Sequence, residues 1–347
     1  MNRRFTTWLV TAAAGALALG SMSLATTTQA APPDHANASA QARARHEQTV
    51  NFWTNDKVAK ARSRDFVRGS AGTFTLRAQS AKPGKSKPGT STGTTASWNG
   101  GGAVLRTTGK VLFAMGADYF VCSASVAKDN ATDRTIILTA GHCVFDNEAS
   151  AFATHWMFIP DYDSAAVNLD PSGTFCASTV YGCWTATSLV AAKGFTSQTS
   201  FNTRATLNDY AFAVVGAGGK TNAQLDSVVG AQAISFTTAT AGASTYSFGY
   251  PAGSPYTGKD LTYSTSPLGR DSRNANRTYS IASTMTGGCS GGPWFQGFST
   301  STGTGTMMSV NSYSYGTTST TMQGPLLNST TAAMFQKAHT SSGNVAA

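Results

Sequence analysis

From Val104 onward the chain offers short runs of β-branched and aromatic residues cut by Gly, Asp and Asn, and almost nothing with a helical period. Val104–Leu105, Lys110–Ala114, Tyr119–Val126 and Thr135–Leu138 open the series. Ala151–Ile159, Thr185–Val190, Tyr210–Val215, Ile234–Thr237, Ser244–Tyr250, Leu261–Ser264, Tyr279–Ser283 and Met307–Tyr315 continue it. Many short strands without alternating helices bury their apolar faces only as an antiparallel sandwich or barrel. The exception is Leu327–Ala338, where Leu327, Thr331, Met334, Phe335 and Ala338 recur at helical spacing behind Asn328 or Ser329 as a cap. The 250 residues from 98 to 347 suffice for two barrels, and Gly216–Gly219 is the natural boundary, which gives units 98–219 and 220–347. The expected fold class is therefore all-β, two antiparallel barrels with a C-terminal helix.

The net charge of +9 invites a nucleic-acid reading, but its location argues otherwise. Residues 1–97 hold 13 of the 25 Lys+Arg and 4 of the 16 Asp+Glu, which leaves 12 of each sign in residues 98–347. The folded part carries no basic excess, so no nucleic-acid partner is expected. Residues 1–30 read as a signal peptide: Arg3 and Arg4, an apolar stretch from Trp8 to Ala25, then Thr28-Gln29-Ala30 for a signal peptidase. No other segment is long and apolar enough to span a bilayer, so the product is expected to be secreted, extracellular and off the membrane after signal removal. In residues 31–97, His46 to Arg68 has the spacing of a marginal amphipathic helix, and Gln79–Gly102 is Lys, Pro, Gly, Ser and Thr, a linker composition. This region is expected to be a removable propeptide or a flexible arm, and in either case to stay clear of the catalytic core.

Export makes disulfides the default for the five cysteines. Two bridges and one leftover thiol allow 15 pairings. Cys176 and Cys183 flank a turn-like Ala-Ser-Thr-Val-Tyr-Gly stretch and suit a hairpin bridge, which leaves Cys122 with Cys143 or Cys289.

Chemistry enters with Gly287-Gly288-Cys289-Ser290-Gly291-Gly292-Pro293. A serine among glycines has a backbone free to turn tightly and aim N–H groups at one point, as an acyl-transfer nucleophile requires. Such a serine needs a base. His142 qualifies, at the exit of an apolar strand in Thr139-Ala140-Gly141-His142-Cys143. Asp209 opens the apolar strand Tyr210–Val215, where an unpaired carboxylate is costly, so it must have a partner. An α/β-hydrolase elbow orders its groups Ser, acid, His, and no Asp or Glu follows Ser290. The order His142, Asp209, Ser290 remains. Asp161-Tyr162-Asp163 and Asp170 match no metal loop, and no metal or cofactor is expected.

These three blocks, with Asn208-Asp209-Tyr210-Ala211-Phe212 as the second, resemble the catalytic blocks of trypsin-like (chymotrypsin-fold) serine peptidases, nearest the secreted bacterial branch. The resemblance runs from about Val104 to the terminal helix. It implies two chymotrypsin-like six-stranded barrels and a monomeric serine endopeptidase acting on proteins or peptides through an acyl-enzyme. It implies His142 as general base, Asp209 as its orienter, Ser290 as nucleophile, and the Gly288 and Ser290 N–H groups as oxyanion hole. It favours a Cys122–Cys143 bridge and leaves Cys289 as a free thiol, open to thiol reagents or to a rival pairing with Cys176 or Cys183. Animal members carry Asp where Cys289 stands, and a neutral thiol cannot pair with a new N-terminus. That argues for a zymogen opened by propeptide removal instead. The pocket floor falls at Thr284. From Ser272 to Ala347 there is no side-chain carboxylate to hold Arg or Lys, and Met307–Tyr315 has no His to hold Glu, so an uncharged primary side chain is expected. The alternative is a catalytically silent homologue acting as a secreted protein-binding module.

Overall fold

The computed structural model describes residues 35–77, 93–164, 174–316 and 319–347. The signal sequence read at residues 1–30, most of the linker and Asp170 lie outside the described residues.

Six strands form the first barrel: Thr108–Met115, Asp118–Ala127, Thr135–Thr139, Thr154–Pro160, Trp184–Ala191 and Ala211–Val215. The sheet closes because Asp118–Ala127 pairs with both Thr108–Met115 and Thr135–Thr139. Barrel strands are covered on both faces, inside by packed side chains and outside by neighbouring elements. That is why Thr108–Met115 and Thr135–Thr139 are buried along their whole length, and why their centres, Val111–Met115 and Ile136–Leu138, are continuous apolar runs rather than alternating ones. Val104–Leu105, expected as a strand, lies instead in the short helix Gly102–Thr107. Gly101 and Gly102 turn the chain there with positive φ (60° and 75°), and Thr107 Oγ1 donates back to Ala103 O.

The second barrel is built from Ser244–Gly249, Thr262–Pro267, Tyr279–Ala282, Pro293–Ser299, Thr304–Val310, Tyr313–Tyr315 and Thr321–Gly324. Pro293–Ser299 is a central strand between Ser244–Gly249 and Thr304–Val310. Pro293 and Gly297 disguise it as a turn in the sequence, yet a proline is tolerated as the first residue of a strand. The expected run Met307–Tyr315 divides at Asn311–Ser312. Here the backbone turns to the glycine-rich loop around Ser290, with Asn311 N–H donating to Gly292 O and Gly291 N–H to Asn311 O.

Asn328 caps the terminal helix Ser329–Thr340: its Oδ1 accepts from Thr330 and Thr331 N–H, and Thr331 Oγ1 accepts from Asn328 N–H. Thr331, Met334, Phe335 and Ala338 form its buried face. That face packs on the first barrel, with Phe335 against Phe212 at 5.2 Å, and Val345–Ala346 adds a parallel strand to Val190–Ala191. The tail of the second half of the chain thus clasps the first half.

The segment that precedes the first barrel, residues 31–97 and here called the leader, forms regular elements where it is described. The helix His35–Phe52 ends earlier than the sequence spacing suggests, Asn55–Lys60 forms a second short helix, and the chain is extended beyond it. Trp53, 1% exposed, is set among Leu112, Val121, Met157 and Ile159 on the first barrel and donates from Nε1 to His155 O. Arg62–Ser63 pairs in parallel with the strand Asp118–Ala127. Phe66–Arg68 pairs in parallel with Tyr313–Tyr315 and antiparallel with Phe74–Leu76. Thr94–Ser97 adds an edge to Thr262–Pro267. The expectation that this region stays clear of the core is therefore corrected: the leader completes sheets of both barrels.

The bridges are Cys122–Cys143 and Cys176–Cys183, with Cys289 free and buried. Replacing both Cys122 and Cys143 by Ser frees a loop whose ends are 21 residues apart. A loop of that length corresponds to about 3 kcal/mol and a fall in melting temperature of roughly 6–12 °C, measurable by calorimetry. Asp163 ties the barrels together by accepting from Leu261 N–H at 2.5 Å. Burial, helped by Asp260 and Asp161 and opposed by that N–H, pushes its carboxyl up to about 6. A raised acid favours the folded state below its ordinary value and loses that contribution as pH rises through about 6. Between pH 4 and 7 the melting temperature of the wild type should fall relative to that of Asp163→Asn.

Candidate active site

Adjacent strands bring the first two groups together. Thr135–Thr139 runs antiparallel to Ala211–Val215, with Thr139 opposite Ala211. His142 lies in the tight turn Gly141–Cys143 after the first of these, and Asp209 just before the second. Both are fully buried. Asp209 Oδ1 accepts from the His142 backbone N–H and Oδ2 pairs with His142 Nδ1, each at 2.8 Å. Ser312 Oγ, from the second barrel, donates to Oδ2 at 2.5 Å. A carboxylate only accepts, so Nδ1 carries a proton, which leaves Nε2 as the ring atom without a partner.

Ser290 sits between Gly288 at φ 101° and Gly291 at φ 80°. A Cβ on Gly291 would fall 2.2 Å from Thr139 Oγ1 and 2.4 Å from Ser123 O, so only glycine lets the Ser290 loop lie against the first barrel. The Ser290 carbonyl accepts from Ser123 N–H at 2.7 Å and lies 3.8 Å from Cys143 Sγ, beside the residue that follows His142. Ser290 is 3% exposed. Among the described residues, the N–H groups of Gly288 and Ser290 make no hydrogen bond, and His142 Nε2 also has no partner. The Ser290 hydroxyl is thus not bonded to the imidazole in this form. Cys122, His142 and Cys143 cluster within metal-ligand distance of one another, but both sulfurs are spent in the disulfide and Nδ1 on Asp209, so the donor set suits no metal.

The leader occupies this cleft. Phe66 stands edge-on to the His142 ring at 5.6 Å and stacks on Phe201 at 4.0 Å. Arg64 donates from Nε to His142 O at 3.0 Å and reaches Asp146 at 3.4 Å. The Asp65 carboxylate enters the hollow beside Ser290, whose walls are Met285, Thr286, Cys289, Ser312, Tyr313, Ser314 and Met322. None of these walls carries a charge. The counter-charge is Arg77, also from the leader, 3.1 Å from Asp65 and bonded to Ser314 Oγ and Gly316 O. Burial pushes the Asp65 carboxyl up, and Arg77 opposes that shift.

Two expectations are corrected here. Thr284 does not floor the pocket: it is exposed, with its hydroxyl paired to Tyr256, while its neighbours Met285 and Thr286 turn inward. Cys289 is no accessible thiol: it is 1% exposed, and burial pushes it far above the usual thiol range. Sequence reading missed Ser312 and all the leader's contacts, because nothing local marks a residue whose partners lie a hundred positions away.

Two of the solved structures that the chain resembles carry the comparison. The crystal structure of the protease Anisep from Arthrobacter nicotinovorans is 33% identical over 72% of this chain and 100% of that one, with a TM-score of 0.58. The thermostable serine protease AL20 from an extremophilic microorganism is 31% identical over 69% and 99%, with a TM-score of 0.57. No family model matches the chain, and no match is found among curated proteins.

Removing the counter-charge tests the leader's seat. Arg77→Ala leaves Asp65 buried without its partner, a loss of roughly 3–5 kcal/mol. Hydrogen exchange at Phe66–Arg68 and Phe74–Leu76 should then rise by a hundredfold or more, on the order of that loss. On the fold, the two bridges and the similarity over the whole length of both relatives, the chain belongs to the chymotrypsin-fold serine peptidases of bacterial type and is a serine endopeptidase.

Proposed function

We propose that His142, Asp209 and Ser290 form the catalytic triad of a secreted endopeptidase, and that its own leader holds the full chain inactive as a zymogen. The observation that carries the triad is the doubly bonded Asp209–His142 pair, which sets the tautomer a general base needs. In this reading His142 Nε2 takes the Ser290 proton as the hydroxyl attacks the scissile carbonyl. The imidazolium that forms is stabilised by Asp209. The Gly288 and Ser290 N–H groups, free of other acceptors, bind the tetrahedral oxyanion. His142 then returns the proton to the leaving amine, and water repeats the sequence on the acyl-enzyme.

The leader supports the second part. Phe66 and Asp65 fill the space that a substrate side chain and its carbonyl need, and they shield the nucleophile and base from solvent. Removal after Arg77 takes both Asp65 and Arg77 away, and what remains around the hollow is methionine, thiol, hydroxyl and tyrosine. Such walls suit an uncharged primary side chain on a protein or peptide substrate, cleaved outside the cell by a monomer. No helix among the described residues is long and apolar enough to cross a membrane.

A fluorophosphonate probe tests both parts. The processed chain, cut between residues 78 and 92 and stripped of its leader, should be labelled at Ser290, and neither His142→Ala nor Ser290→Ala should be labelled. The uncut chain should label at least a hundredfold more slowly. Equal rates for cut and uncut chains would remove the zymogen reading. An unlabelled processed chain would point to a silent, binding homologue. A cleavage profile dominated by Arg, Lys or Glu would remove the substrate assignment.

A further inference from the structure

A trans peptide is planar, with C=O and N–H on opposite sides, so whatever grips a carbonyl aims the N–H of the next residue. Both peptides read as oxyanion donors are gripped in this way. Gly287 O accepts from Ala252 N–H at 2.6 Å, which turns Gly288 N–H the other way. Cys289 O accepts from Gly292 N–H and from Asn311 Nδ2, each at 3.0 Å, which turns Ser290 N–H. Asn311 is the side chain in this pair of anchors.

Asn311 is fully buried and every polar atom of its amide is satisfied. Nδ2 donates to Cys289 O and, at 2.9 Å, to Phe248 O. Oδ1 accepts from Trp294 Nε1 and Ser247 Oγ, each at 2.7 Å. The orientation is forced: an indole N–H only donates and a backbone carbonyl only accepts, so a flipped amide would lose three of the four bonds. The backbone of the same residue holds Gly291 and Gly292, and the next residue, Ser312, donates to Asp209. One buried residue therefore touches the loop on both sides of Ser290 and adjoins the carboxylate that orients the base.

We propose that Asn311 is a positioning residue for catalysis, whose Nδ2 holds the Cys289–Ser290 peptide so that the Ser290 N–H points at the developing oxyanion. The inference rests on the reading of Ser290 as nucleophile. Asn311 touches no substrate. Its contribution lies in the tetrahedral state, where the aim of a donor matters most.

The test uses enzyme expressed as the full chain and processed. Asn311→Asp keeps the shape and the bonds from Trp294 and Ser247 but loses both N–H donors. It should lower kcat by roughly ten- to a hundredfold, leave KM within about twofold, and weaken a peptide boronate inhibitor by the same factor as kcat/KM. Ser309→Ala, a buried hydroxyl on the neighbouring strand that bonds only Pro325 O, should leave kcat unchanged. Trp294→Phe removes one bond from Asn311 while leaving both Nδ2 bonds in place and should cost about threefold in kcat, which keeps the test available if Asn311→Asp fails to fold. A folded Asn311→Asp with unchanged kcat, a rise in KM alone, or a Trp294→Phe variant with full kcat would each overturn the proposal. Wild-type enzyme that acylates Ser290 while Asn311→Asp matches it refutes only this inference. Wild-type enzyme that does not label at Ser290 refutes the catalytic reading and this one with it.

Discussion

The carboxylate of Asp209 is the fixed point of the molecule. A buried carboxylate without partners is far too costly to keep, so the fold has to deliver donors to both of its oxygens. It does so with the backbone and ring of His142, from the turn that follows a strand of the first barrel, and with the hydroxyl of Ser312 from the second. Satisfying one charge thus sets the rotation of the imidazole and locks one barrel against the other at the place where they meet. The Cys122–Cys143 bridge acts in the same direction, since it ties the turn carrying His142 to the strand whose Ser123 receives the Ser290 loop.

The leader solves a related problem by different means. The hollow beside Ser290 has no charge of its own, yet Asp65 is driven into it. The leader brings Arg77 from nine residues beyond the end of Phe66–Arg68, so the ion pair belongs wholly to the visiting segment. A self-neutralised insert asks no counter-charge of the hollow. Trp53, far from the cleft, fastens the same segment to the outer face of the first barrel. The leader is held at two places with different chemistry, apolar at one and ionic at the other.

How far the sequence speaks depends on how far each residue's partners lie. The terminal helix was legible down to its cap, because Asn328, Thr331 and the buried face obey a local rule. His142, Asp209 and Ser290 were conspicuous because each carries a local mark: a strand exit, a charge opening an apolar run, a cluster of glycines. Pro293–Ser299 was hidden because its proline and glycine mimic a turn, and only its neighbours on both sides make it a strand. Thr284 was misplaced by one step, since alternation along an extended segment sends its neighbour Met285 inward instead. Asn311, Ser312, Asp65 and Arg77 are ordinary polar residues in the sequence, and their meaning is entirely tertiary.

The pairing of Phe66–Arg68 with Tyr313–Tyr315 has an implication for what such an enzyme digests. On the zymogen reading proposed above, loss of the leader would leave the Tyr313–Tyr315 rim of that short sheet without its mate, its amides and carbonyls bare. Any polypeptide able to lie straight can take the vacated berth through its main chain alone, whatever its side chains. On the same proposed reading, a segment that can straighten would be taken before one held in a tight fold.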